Sequence, residues 1–459
     1  MTWQNRPLSG SCAPRRLTVI FKFGKKGKNK GGGSDEDLEV ELIRFHGATN
    51  SVPFDVEANQ KLVRVAFEPV KELFTDAVTR RAETVRIDPK GDRATIGFLI
   101  GGIPVPAGRI PRQRAHAMTQ MTKVLAGIKA SERSQPQAGG VKASLGSDEF
   151  ELQVHTQPLS GGVERLTVHI QNLDEQLDRP EDIGMTAELK AQIRELTGQG
   201  QKLFIACGPS RTGVTTTLYA AIRGLDAYLR DIQTIGDTQG RELINITAFE
   251  TDPEDDLQES LRRCVRIEPD VILVDPIQDA ETAEVIAGFL DKCTIMTELT
   301  AKDAAAGLLQ WSEWLGDPAR AAASTCAAIS QKLIRRLCED CKEAYKPNPA
   351  LLRKIGLDPE DIPVLYRKAR ITKEMAEQGE ELEPCLTCND SGYNGRTAIF
   401  ELIEVNEAIQ QLIASGGDVA AVRALARQSE MLTLQKDAMR LVADGTTSLE
   451  ELQRVFKNA

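Results

Sequence analysis

The chain is expected to fold as α/β, in more than one domain, with a parallel sheet covered by helices on both faces in its second half. Three observations carry this. With 459 residues it is too long for a single core and fits two to four domains. Beyond residue 202, short apolar runs at 203–207, 232–235, 243–246, 271–274 and 294–296 alternate with helix-periodic stretches at 255–265, 280–290 and 304–315. Aromatic residues make up only 5%, which suits helix-rich α/β folds better than sandwiches.

Taken in order, residues 1–38 carry Arg15, Arg16, Lys22, Lys25, Lys26, Lys28 and Lys30 ahead of a glycine run, and are expected to form a disordered basic tail. Weak contact of that tail with anionic lipid is the competing reading. Residues 39–173 are expected to make an α/β domain with its own core. Its helices are placed at 59–79, on the periodicity of Leu62, Val63, Ala66, Val70, Leu73 and Phe74, and at 113–128. Strands are placed at 84–87, 94–99, 150–155 and 165–170. His116, His155 and His169 lack motif spacing to one another and are read as surface or packing residues. A polar linker with Pro180 spans 174–186, and a helix covers 187–196.

The stretch 202–219, KLFIACGPSRTGVTTTLY, has the strand, loop, helix order of a phosphate-binding loop. Gly208, four residues, Gly213 and Thr215 satisfy the pattern, but Val214 stands where it requires lysine. That lysine meets the phosphates, whereas valine offers a polyanion only methyl groups. Downstream, the apolar run 271–274 ends in Asp275, the form that brings a carboxylate near a nucleotide-bound magnesium ion.

Cys338 and Cys341, then Cys385 and Cys388, form two CxxC pairs. Two such pairs complete a closed tetrahedral site, so structural zinc is expected in an insertion spanning 334–398. The remaining five cysteines are scattered singly, as in a reducing compartment rather than a disulfide framework. Residues 399–459 have helical periodicity broken at Gly416, Gly417 and Gly445 and are read as a small helical bundle, with a helix start at 447–451. A net charge of −10 disfavours nucleic acid as a partner, and no apolar stretch is long enough to span a membrane. The expected location is the cytoplasm.

On these motifs the chain resembles the E-type ATPases of type II secretion and the extension motors of type IV pili, from about residue 39 to the C-terminus. The resemblance rests on GPSRTGVTTTLYAA, EPDVILVDPIQDAETAE, QKLIRRLCEDCKEAY, CLTCNDSGYNGRTAIFELIEV and MLTLQKDAMRLVADGTTSLEEL. It implies a RecA-like P-loop NTPase domain at 187–333 behind the N-terminal α/β domain, and the tetracysteine insertion. It also implies a hexameric ring of like or related subunits, working with platform proteins peripherally at the inner membrane, and ATP with magnesium as ligands.

Position by position, Gly208, Gly213, Thr215 and Thr216 fit that family's phosphate loop and Val214 replaces its lysine. Pro276 takes the place of the catalytic glutamate, Asp275 that of the preceding glycine, and Gln278 that of an arginine; Asp279 is kept. Gly236 and Gly240 replace two glutamates around Asp237, Thr300 replaces a histidine, and Gln153 and His169 replace two arginines. The losses fall on charged chemistry while the four cysteines and the C-terminal motifs stay intact. Each lost charge-assisted contact is worth about 1.5 to 3 kcal/mol. The leading expectation is therefore a catalytically impaired family member acting in assembly of such a machine. An active hexameric motor using rearranged residues, and a zinc-stapled binding module, are the alternatives.

Overall fold

The computed structural model describes residues 41–457 apart from 175, 176, 178, 211, 237, 239–242, 253, 355, 356, 359, 361, 370–384 and 386. The basic tail, Asp237 and Gly240 lie outside the described residues. The chain divides into two compact units with the break after residue 175.

The first unit is a seven-stranded antiparallel sheet of β1 (Arg44–Ala48), β2 (Ala82–Lys90), β3 (Arg93–Ile100), β4 (Ile103–Pro111), β5 (Gln137–Leu145), β6 (Asp148–Leu159) and β7 (Val163–Asn172), in the order β1-β5-β6-β7-β2-β3-β4. Alternate residues, among them Val85, Ile87, Ile96, Phe98, Leu152, Val154, Leu166 and Val168, enter one core, as period-two strands with one covered face require. Helices α1 (Glu68–Thr79) and α2 (Arg112–Leu125) add Val70, Leu73, Phe74, Met118 and Met121 to it. The helix expected at 59–79 is present, with residues Val63–Phe67 in π geometry.

Strands β1, β4 and β5 were not expected from the sequence. β4 carries Pro104, Pro106 and Pro111, residues tolerated because it is an edge strand. β5 contains Gly139 and Gly140, where an added Cβ would stand 2.6 Å from the Ala126 carbonyl and from Thr49 Oγ1 respectively. Both glycines are there for close backbone approach, and both erase the alternation that marks a strand.

At the edge of this core Lys123 is fully buried and places its ammonium 2.6 Å from the Glu164 carboxylate. Gln120 donates to the other Glu164 oxygen at 3.0 Å, and Lys123 also donates to the Glu132 carbonyl. The pair is thus hydrogen-bonded on both sides, the condition under which a buried charge persists.

The second unit opens with α3 (Ala187–Leu196), capped by Thr186. Its sheet comprises β8 (Leu203–Gly208), β9 (Ile232–Ile235), β10 (Thr247–Ala248), β11 (Val271–Val274), β12 (Thr294–Thr300), β13 (Thr325–Leu337) and β16 (Tyr393–Glu404), in the order β10-β9-β11-β12-β8-β13-β16. The pairings are parallel except β13 with β16. Between them α4 (Val214–Arg223), α5 (Leu257–Cys264), α6 (Ala280–Ala287), α7 (Ala304–Leu315) and α8 (Pro318–Ala323) cover the two faces. Leu203, Ile205 and Cys207 enter one core and Phe204 and Ala206 the other, so β8 is buried on both sides. The strand expected at 243–246 is a turn, and the ladder instead takes Thr247 and Ala248.

Two further expectations are corrected here. Residues Ile399 to Glu404 are the end of β16, not the start of a helical bundle; helices begin with α10 (Glu407–Ala414), after α9 (Pro349–Lys354), and continue as α11 (Val419–Gln428), α12 (Leu434–Ala443) and α13 (Leu449–Lys457). Ile399, Phe400, Leu402 and Ile403 are all buried, so this strand shows no period-two signal and its apolar run reads equally well as helix. The ends of the expected insertion, 334–337 and 393–398, likewise belong to β13 and β16, leaving the excursion itself between Cys338 and Gly392, with the hairpin β14 (Lys342–Tyr345) and β15 (Leu365–Lys368) inside it.

Glu451 locks α13 to β13. Its buried carboxylate accepts hydrogen bonds from the Arg335 backbone N–H at 3.0 Å, from Arg335 Nη2 at 2.6 Å and from Arg454 Nε at 2.8 Å. Arg335 also lies 3.9 Å from the Tyr393 ring centroid. Burial by itself would raise the Glu451 pKa, but the hydrogen bonds from Arg454 and Arg335 outweigh it and hold the pKa at about 2 instead of 4.5. A folded-state pKa below the unfolded one stabilises at pH above the unfolded value, and the gain is lost as pH falls towards the folded value. Glu451 is therefore expected to contribute about 3 kcal/mol down to about pH 5 and to lose it progressively towards pH 2. Urea melts of wild type and Glu451→Gln across that range check this; a stability difference that does not narrow with acid would contradict it.

Candidate functional site

Strand β8 delivers the chain to Gly208 and α4 carries it away from Gly213, whose φ of +88° is a left-handed conformation that glycine adopts freely. Gly208 has no room for a side chain: a Cβ would stand 2.6 Å from Val214 Cγ2 and 2.9 Å from Thr212 Oγ1. Val214 is only 8% exposed and packs in the same apolar cluster as Phe204, Ala206 and Leu218. The loop is braced from within, since Thr212 Oγ1 donates to the Pro209 carbonyl at 2.7 Å and Gln331 Nε2 donates to the Thr212 carbonyl at 3.3 Å. Thr215 and Thr216 sit in the first turn of α4.

Beside this loop, at the C-terminal ends of the parallel strands where α/β folds hold ligands, a cavity of about 130 Å³ is lined by Thr215, Thr234, Gly236, Asp275, Pro276 and Glu298 among others. Thr215 Oγ1 donates to Glu298 Oε2 at 3.0 Å. Asp275 leaves the end of β11 and its main-chain carbonyl accepts from Thr297 Oγ1 at 2.9 Å. Gly236, with φ +111°, faces the Asp275 carboxylate so closely that a Cβ would stand 2.3 Å from both its oxygens. The buried Thr234 hydroxyl has no hydrogen-bond partner among the described residues. Two carboxylates line this cavity and no described lysine, arginine or histidine does. Thr300 is exposed at the end of β12, in register with Gly208.

The four cysteines of the two CxxC pairs converge. Cys338 and Cys385 Sγ lie 3.8 Å apart, Cys341 and Cys388 Sγ 3.6 Å, and all four lie within 4.8 Å of one another. Four thiolates about 2.3 Å from one ion stand about 3.8 Å apart along a tetrahedron's edges, so the cluster fits a tetrahedral ion. Burial pushes the Cys338 and Cys341 thiols up, so a cation is what would let all four ionise together. Backbone bonds shape the knuckles: the Lys342 N–H donates to the Cys338 carbonyl at 2.9 Å, and the Cys385 N–H to Asp390 Oδ1 at 2.7 Å. Cys207, Cys264, Cys293 and Cys326 are buried, with their thiols raised by burial, and fit packing roles.

A sequence profile of the family described as "Type II/IV secretion system protein" matches residues 60–454. The chain belongs to this family. The type IV pilus assembly ATPase PilB of Thermus thermophilus is 28% identical over 408 residues, which cover 88% of this chain and 44% of that protein. The type II secretion system ATPase E of Vibrio cholerae is 27% identical over 434 residues, covering 92% of this chain and 82% of that one. The chain thus spans less than half the length of the Thermus relative and most of the Vibrio one. Among solved structures, the Legionella pneumophila ATPase DotB aligns with a TM-score of 0.53 at 13% identity, covering 84% of this chain and 96% of DotB, a likeness of fold. No helix among the described residues is long and apolar enough to cross a membrane.

Within this secretion-family fold, the positions singled out by the motifs gather unequally. Val214, Thr215, Gly236, Asp275, Pro276 and Thr300 surround or border the strand ends of one sheet. Asp279 instead caps α6, accepting from the Thr282 N–H at 2.8 Å, and those bonds to Thr282 lower its pKa. In the first unit Gln153 and His169, which the resemblance sets at two arginine positions, are direct cross-strand partners on β6 and β7, with the His169 and His155 rings 5.5 Å apart. Gln331 and Thr234 were not found by sequence reasoning. Gln331 meets the loop across 119 residues, a separation that leaves no local signal.

The Gly236 and Asp275 pairing yields an expected result. Gly236→Ala places a methyl group against a carboxylate in a left-handed backbone and is expected to cost about 1 to 3 kcal/mol. Much of that is expected to return in Gly236→Ala/Asp275→Gly, measured by a double-mutant cycle of urea midpoints. Additive effects would show that the two sites are independent.

Proposed function

We propose that this protein is a member of the secretion and pilus motor family whose nucleotide site has been disarmed, and that it acts as an assembly or regulatory subunit within a ring of like or related subunits. The observation that carries this is the cavity beside the loop, with Asp275 and Glu298 in its lining and an apolar, packed Val214 where the phosphate-binding lysine is required. Phosphoryl transfer depends almost wholly on positioning and on cations that offset the phosphate charge. A carboxylate about 4 Å from a phosphate charge opposes binding by about 4 kcal/mol at a near-surface dielectric. Both terms push against the phosphates of ATP.

In this reading the scaffold is what has been kept. The tetracysteine cluster holds structural zinc, closed to substrate because all four ligands come from the protein. The subunit works in the cytoplasm, peripherally at the inner membrane beside platform proteins, in a type II secretion or type IV pilus-like machine; the names of its relatives assign them to type IV pilus assembly and to type II secretion.

The test is turnover and binding by zinc-loaded protein. No magnesium-dependent ATP hydrolysis above background is expected, and no ATP binding in the micromolar range by calorimetry. Hydrolysis that disappears in Thr215→Ala would overturn the reading and make the protein an active motor.

A further inference from the structure

The turn between α12 and α13 is gripped from two sides. From the sheet, the Leu337 N–H donates to the Thr446 carbonyl at 2.8 Å, Thr447 Oγ1 donates to the Arg335 carbonyl at 2.8 Å, and the Tyr393 and Ser448 hydroxyls lie 2.8 Å apart. From the cysteine excursion, Lys342 Nζ donates to the Gly445 carbonyl at 3.3 Å and stands 4.7 Å from the centroid of the Tyr366 ring. Gly445 ends α12 in a left-handed conformation, φ +70°, while the Thr446 N–H donates back to the Leu441 carbonyl at 2.9 Å. A Cβ on that glycine would stand 2.5 Å from Tyr366 Cδ2, so the ring lies directly on the turn. Leu352 and Leu365 of the excursion also share one apolar cluster with Leu441 and Val442 of α12 and Leu452 of α13.

The two grips differ in what sustains them. Arg335, Glu451 and Arg454 belong to β13 and α13, so the sheet side needs no residue of the excursion. The excursion side hangs on β14 and β15, a separate two-stranded sheet with four residues in each strand, and an isolated hairpin of that kind is marginal in water. What fixes its base is the cysteine cluster: Lys342 directly follows Cys341, its N–H donates to the Cys338 carbonyl at 2.9 Å, and Tyr366 pairs with Ala344 across the hairpin. Building on the structural zinc proposed for this cluster, we infer that ion occupancy is a conformational control on α13: with the ion the α12–α13 turn is held on both sides, and without it by the sheet side alone. Lys342 and Tyr366 are the positioning residues that carry the effect. The ion binds only chains whose four thiolates are together, and those are the chains whose hairpin stands against Gly445, so binding shifts the population towards the doubly held state.

Hydrogen exchange read by mass spectrometry on the full, zinc-loaded chain tests this, with ion content measured in parallel. In wild type, chelation is expected to speed exchange across residues 445–457 at least about tenfold, while residues 399–403 of β16 keep their protection. Tyr366→Ala is expected to retain about one ion per chain and yet to exchange at 445–449 as the chelated wild type does. Lys342→Met is the substitute if the alanine variant loses the ion or does not fold, as judged by circular dichroism. Unchanged exchange at 445–457 in wild type shown to be free of the ion overturns the inference and leaves the zinc reading standing. Faster exchange that spreads equally through β16 is general loosening and overturns it too. An ion-loaded variant with wild-type protection at 445–449 does the same. A full chain that takes up no zinc sinks both readings.

Discussion

Cys338→Ser protein is expected to lose its bound ion and, with it, the order of the β14–β15 hairpin. The cysteines tie together the end of β13, the approach to β16 and the β14–β15 hairpin, and the core beneath them draws Ile334, Leu352, Leu365 and Ile399 from these segments with Leu441 and Leu452 from α12 and α13. An ion present at about a thousand times its dissociation constant stabilises the folded chain by about 4 kcal/mol. One serine removes one ligand of four and leaves an incomplete shell. Metal content by elemental analysis is expected to fall from about one ion per chain towards zero, with faster proteolysis inside the excursion. Chelator treatment of the wild type is expected to reproduce the same cleavage pattern. Unchanged stability after complete ion removal would show that the apolar cluster suffices without the ion.

Lys123→Met is expected to destabilise the first unit by about 3 to 5 kcal/mol, because it strands the Glu164 carboxylate in the core with Gln120 as its remaining side-chain donor. Lys123→Met/Glu164→Leu is expected to recover most of that loss, since two apolar groups of similar size need no partner. Denaturant midpoints for the transition of this unit decide it. A double variant as unstable as the single would mean that packing, and not the stranded charge, sets the cost.

What could be read from the linear chain followed from how local each signal is. The helices expected at 187–196 and 304–315 end where the structure ends them, because Thr186 and Asp303 cap them and the apolar periodicity stops with the helix. Strand 271–274 was visible as a short all-apolar run, the mark of a doubly covered parallel sheet, and 232–235 as a short stretch bounded by isoleucines. β16 was misread for the same reason that those were found. Burial on both faces removes alternation, and without alternation the stretch 399–404, with four apolar residues in six, does not distinguish strand from helix. β4 was hidden by prolines that its edge position tolerates, and β5, one strand in from the other edge, by glycines that serve close approach rather than ladder periodicity.

Sequence by itself determined the family, the loop scaffold from Gly208 to Thr215, the missing lysine at Val214 and the convergence of four cysteines, because each is carried by spacing within a short window. Only the tertiary structure decided what those departures do to one another. Asp275 occupies the space that Gly236 vacates, Glu298 reaches across 83 residues to the hydroxyl of Thr215, and Gln153 faces His169 on the neighbouring strand. Side-chain chemistry is written residue by residue, but distance between side chains is set by sheet register and helix packing. A loop that reads in isolation as a nucleotide site with one odd valine is, in the folded molecule, a loop packed from below by that valine and met from the side by a carboxylate of its own chain.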